Sequence, residues 1–166
     1  MSTEIWGNHI AIVVEGVLRM PNDSAAIIPG LLLYRSLVKT HRITLIFDSS
    51  DKKKIQYWLL MNGFTDHTGE IYWDVEDSDN VAIRRISQIG RIRQEGPLSL
   101  VIESDMNAAA ALLEAGVPSF LFLHPQYIHP DFLPGKRKEV TPWDQLYAET
   151  VRQREARATD TRLKDF

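Results

Sequence analysis

With 166 residues, 44% of them hydrophobic and 25% charged, the chain is long enough for one domain with a real core and too evenly mixed to be disordered or fibrous. A formal charge of −3 gives no overall pull toward nucleic acid or an anionic membrane, and the lack of cysteine excludes disulfides, thiolate catalysis and cysteine-ligated zinc. The opening MSTEIWGNHIAIVVEGVL lacks the basic start, clean apolar run and cleavage site of a secretory signal, and no apolar run reaches the ~20 residues of a membrane span, so a soluble cytoplasmic protein is expected.

Strands and helices alternate along the chain. Short apolar runs at 10–14, 43–47, 71–75, 98–102 and 119–123 read as strands buried on both faces of a parallel sheet. The first helix is expected over 25–39, with Leu33, Leu37 and Val38 inward and Pro29 and Gly30 near its start. The second covers 51–62, capped by Ser49 or Ser50 and closed by Gly63. The third covers 80–93 with Ala82, Ile86 and Ile89 inward, and the fourth covers 106–115, stopped by Gly116. Beyond the fifth strand, HPQYIHPDFLPGKRKEVTPW carries four prolines and reads as a surface loop. A last helix starts near Pro142, with Trp143, Leu146, Tyr147 and Val151 on one stripe, and a polar tail follows.

This order predicts a doubly wound, Rossmann-like α/β sandwich of three layers, with a five-stranded, mainly parallel sheet and a C-terminal helix. The expected organisation is one domain, divided into a core at 1–124, a Pro-rich loop at 125–141 and a helix with tail at 142–166. Ligands of such sheets bind beyond the carboxyl ends of the strands, which directs attention to residues 13–16, 48–50, 74–79 and 103–107.

Several motifs have bland readings that outweigh their functional ones. The acidic run DVEDSD at 74–79 lacks the glycine and distal glutamate of a calcium loop and reads as a solvated turn before a helix. His124 and His129 lack a close third ligand. The basic runs DKKK at 51–54 and GKRK at 135–138 stand in an acidic chain without interleaved aromatics, which argues against a nucleic-acid partner. The stripe of Trp143, Leu146, Tyr147 and Val151 either packs on the domain or offers aromatic anchors to a protein partner.

Four stretches carry a resemblance to a known family. They are VVEGVL at the first strand end, LIFDSS at the second, Arg84 and Arg85 before the fourth strand, and VIESDMNAAAALLEAGVPSFLF around it. Over roughly residues 8–124 the chain resembles the haloacid dehalogenase-like superfamily, mostly phosphohydrolases that pass through an aspartyl-phosphate. The resemblance implies a nucleophilic aspartate at position 13, an acid–base group at Glu15, phosphate-holding groups at Ser49 and at Arg84 or Arg85, and Mg²⁺ ligands after strand four. Here Val13 replaces the nucleophile, and Asp48 beside Ser49 would repel a phosphate. Glu103 and Asp105 are the candidate metal ligands, flanking Ser104 where an acid is often found. No segment has room for a cap domain; capless members tend to accept macromolecular substrates, and in a scaffold without catalysis the same openness would suit a protein partner. Small proteins of this kind occur in bacteria and bacteriophages.

A non-catalytic protein of this fold is therefore expected, acting through a protein partner or self-association with a degenerate phosphatase site. The alternatives are a Mg²⁺-dependent phosphomonoesterase or nucleotidase using Glu15, Asp48 and Asp105 in altered roles, and a phosphate or nucleotide sensor using Ser49 with Arg84 or Arg85.

Overall fold

The computed structural model describes residues 7–20 and 24–123, together with positions 146, 148, 151 and 152. The chain divides into two compact units, Met1–Tyr127 and Ile128–Phe166. In the second unit Leu146, Ala148, Val151 and Arg152 are helical, where a C-terminal helix is expected. Trp143 and Tyr147, the histidines at 124 and 129, the Pro-rich loop and the GKRK run lie outside the described residues.

The first unit holds β1 (Gly7–Val13), α1 (Ile28–Leu37), β2 (His41–Ile46), α2 (Lys52–Asn62), β3 (Gly69–Ile71), α3 (Val81–Glu95), β4 (Leu100–Glu103), α4 (Met106–Glu114) and β5 (Ser119–Leu121). The strands form one sheet in the order β3-β2-β1-β4-β5, and every pairing is parallel. Right-handed crossovers place α1 and α2 on one face and α3 and α4 on the other, giving the three-layer Rossmann-like sandwich. Strand β1 lies in the middle because Ile10 through Val14 are buried on both sides. The chain leaves β1 toward β2 and β3, then returns to β4 and β5, so strand order reverses between β1 and β4.

Several expectations about these elements need correction. The run at 71–75 is not a strand: β3 pairs Gly69–Ile71 with Thr44–Ile46, and Val75 is 94% exposed. The chain turns away there because the Asp74 carbonyl accepts from the Asp77 N–H, while the Asp77 carboxylate accepts from the Asp74 N–H. On α3, Ile86 is exposed, and the inward face is Arg84, Arg85, Gln88, Ile89 and Ile92. Polar residues buried through pairing displace the apolar stripe that periodicity predicts.

The helix starts are set by side chains. Asp51, rather than Ser49 or Ser50, caps α2 by accepting from the Lys54 N–H, and Asn80 caps α3. Gly63 ends α2 in the left-handed conformation, as its position in the sequence suggests. Gly30 is required by closeness: a Cβ there would stand 1.8 Å from the Val17 carbonyl oxygen, so α1 packs directly on the turn after β1.

Candidate functional site

The site is built at the carboxyl ends of β1, β2 and β4. Register brings these ends level, with Val13 opposite Ile46 and Ile12 opposite Ile102. After β1 the chain makes a tight turn at Gly16, whose φ of 84° suits glycine. The Leu18 and Arg19 N–H groups both donate to the Val14 carbonyl, and Met20 then pairs back with Ala25. This turn brings Glu15 and Arg19 together as an i,i+4 ion pair at 2.9 Å.

Val13, at the expected nucleophile position, is fully buried within the strand and has no side-chain oxygen to offer a substrate or metal. Glu15 accepts from Arg19 through Oε1 and from the Asp48 N–H through Oε2, at 3.1 Å. Its backbone carbonyl accepts from the Ser104 hydroxyl at 2.8 Å, a tie across the point where strand order reverses. Burial and the neighbouring Asp48 carboxylate push the Glu15 carboxyl above the ordinary glutamate range, against the pull of the Asp48 N–H and Arg19.

Asp48 holds both candidate phosphate-binding arginines. Arg84 Nε donates to its Oδ1 at 3.2 Å and Arg85 Nη2 to its Oδ2 at 3.0 Å. The rest of Arg85 is also engaged: Nε donates to Glu103 at 2.6 Å and Nη1 to Gln88 at 2.6 Å. Gln88 in turn donates to the Phe47 carbonyl, which ties α3 to the end of β2. Arg84 Nη1 donates to the carbonyls of Ser78 and Asp79, and the guanidinium lies 5.5 Å from the centre of the Trp73 ring. Three acids, Glu15, Asp48 and Glu103, thus meet three arginines, Arg19, Arg84 and Arg85. The cations a phosphate would need are neutralised from within.

The other candidates have structural partners as well. Ser49 accepts from the Asp51 N–H at 3.3 Å in the turn before α2. Glu103 is fully buried; its Oε1 accepts from the Ser104 and Asp105 N–H groups and its Oε2 from Arg85. Asp105 caps α4 by accepting from the Ala108 N–H at 2.8 Å. This donor set does not fit a magnesium ion: position 13 has no side-chain oxygen, and both Glu103 oxygens accept hydrogen bonds within the protein. Among the described residues no group of three or more histidine, aspartate or glutamate side chains is placed to hold a metal ion. Within the acidic run, Asp77 pairs with Arg91 at 2.7 Å and accepts from Ser87, so part of that charge is spent on α3.

Sequence reasoning misses Arg19 and Gln88. Arg19 had a legible signal in its spacing of four from Glu15. Gln88 had a weaker one, three residues beyond Arg85 on the same helix.

No protein-family model and no curated protein matches the sequence. Among solved structures, a chain of the Pnkp1/Rnl/Hen1 RNA repair complex is similar with a TM-score of 0.58 and 11% identity, over 70% of this chain and 42% of that one. A chain from a second structure of the Pnkp1/Rnl/Hen1 complex gives 0.57 and 12%, over 73% and 47%. The likeness is one of fold, and this chain spans less than half the length of these two chains.

Proposed function

We propose that the chain is a haloacid dehalogenase-like domain whose phosphatase site has become a structural ion-pair network, and that it acts by binding a protein partner or by assembly. The observation that carries this reading is Asp48, which engages both Arg84 and Arg85 beside a buried valine in the nucleophile's place. An enzyme of that chemistry needs a carboxylate at position 13 and free cations for the phosphoryl oxygens; this site offers neither. The structural neighbours belong to a multi-protein complex, which supports partnership.

The test is Mg²⁺-dependent phosphate release from a panel of phosphomonoesters. The native protein is expected to be silent. Because an aspartate at position 13 would be buried next to other acids, Val13→Asp is run together with Val13→Asp/Asp48→Ser, which also removes the carboxylate that Arg84 and Arg85 share, and folding of both is checked by thermal unfolding. Turnover by the native protein that is lost in Glu15→Ala overturns the proposal.

A further inference from the structure

Helices α1 and α2 lie on the same face of the sheet, linked through Phe64 just after α2. Tyr34 of α1 meets Phe64 edge-on at 5.0 Å, and Phe64 stacks on Trp58 of α2 at 5.2 Å. These rings and the buried Gly30, Ile55 and Leu59 define the inward sides of the two helices. Their outward sides are unusual for a small domain: Ile28 and Leu32 stand four apart on α1, and Tyr57, Leu60 and Met61 fall at i, i+3 and i+4 on α2. All five are 61–67% exposed. Single exposed apolar residues need no explanation, whereas apolar rows on both helices of one face do.

The charge of this face is equally distinct. Neither helix contains an acid, in a chain whose net charge is −3. Lys53 and Lys54 stand at the amino end of α2, Arg35 in the last turn of α1, and Lys39 just beyond it, all exposed. None of these four is in an ion pair among the described residues. Both helices return from the carboxyl edge of a parallel sheet, so they run in the same direction. Arg35 therefore lies near the end of α2, where a Cβ on Gly63 would stand 3.6 Å from its Nη2. Cations thus bracket the apolar stripe at both ends.

We propose that this face docks an acidic amphipathic helix from a partner protein, its apolar side on Ile28, Leu32, Tyr57, Leu60 and Met61 and its acids against the bracketing cations. Apolar spacing of this kind matches a helix laid on a helical pair, and the unpaired cations select the sign of its charge. A second copy pressing the same face would set cations against cations. This inference rests on the reading of the chain as a binding protein.

The full chain is titrated against a labelled peptide of about 18 residues, long enough for helix, with leucine at i, i+3, i+4 and i+7 and glutamate elsewhere. A control peptide carries lysine for glutamate. The acidic peptide is expected to bind saturably and the lysine peptide not to bind. Affinity is expected to fall at least about tenfold in Leu60→Ser/Met61→Ser and in Lys53→Glu/Lys54→Glu, and to weaken between about 50 and about 500 mM salt. All four positions are exposed, so thermal midpoints should stay near that of the native protein, and a midpoint check confirms it. Absence of binding overturns the proposal, as do equal binding of both peptides and binding that survives both variants. Capture by phosphatidylserine vesicles without peptide binding assigns the face to a lipid surface, and self-association lost in the variants assigns it to a second copy; either overturns it. A failed peptide leaves a silent phosphatase assay intact, while phosphate release overturns the binding reading whatever the peptide does.

Discussion

Arg85 is held by Glu103, Gln88 and Asp48 with 1% of its side chain exposed, and Glu103 is wholly buried. A buried pair of this kind contributes less to net stability than its removal costs, because each partner alone is an uncompensated charge or acceptor. Arg85→Met is therefore expected to destabilise the protein by about 3–5 kcal/mol in urea unfolding, with Arg85→Met/Glu103→Leu regaining at least half of that loss. If the double variant is as unstable as the single one, the pair is not the main source of the loss. Glu15 offers a prediction in pH. Its folded-state pKa is raised, so its contribution is fully present below the ordinary glutamate pKa and is lost as pH rises through the folded value. Glu15→Gln cannot titrate, so the stability of the native protein relative to this variant should fall over that window as pH rises. Parallel curves from urea unfolding across the window would refute the assigned environment.

At the scale of elements, glycine positions separate packing from propensity. Gly30→Ala drives a methyl into the Val17 carbonyl, so α1 must lift from the turn that carries Glu15 and Arg19; a loss of more than about 2 kcal/mol is expected. Gly90, exposed in α3 with nothing within 4 Å of an added Cβ, should instead gain about 0.5–1 kcal/mol on replacement by alanine. Thermal unfolding of the two variants checks both signs. The same scale shows where sequence patterns were informative. β1, β2 and β4 were legible because a strand covered on both faces is a continuous apolar run. β3 was misplaced because an edge strand of three residues needs little burial, and the aromatic run after Ile71 imitated one; Tyr72 in fact stacks on Phe47 at 4.9 Å. The inward face of α3 was misread because Arg84, Arg85 and Gln88 are buried through partners that periodicity cannot see.

At the scale of the whole molecule, charge is unevenly distributed. Among the described residues, acids and arginines pair at the strand ends, while Arg35, Lys39, Lys53 and Lys54 on the α1–α2 face are in no ion pair. Adding Mg²⁺ should leave the unfolding midpoint unchanged, since a site-bound ion would raise it with concentration by linkage. A midpoint that climbs with Mg²⁺ and stops climbing in Asp48→Asn would show a metal site at the strand ends and overturn the neutralised reading.

The alternation of strands and helices, the carboxyl-end positions of Glu15, Asp48 and Glu103, and the valine at position 13 were all determined by the sequence alone, because each is a matter of local pattern. How those residues are used was decided only by tertiary structure. Asp48 meets Arg84 and Arg85 across 36 and 37 residues of chain, and Arg85 meets Glu103 across 18. Such pairings depend on which strand ends the crossovers bring level and on how far α3 lies from them. The guanidinium groups that looked free for phosphate in the sequence are bound because the folded sheet sets an aspartate between them.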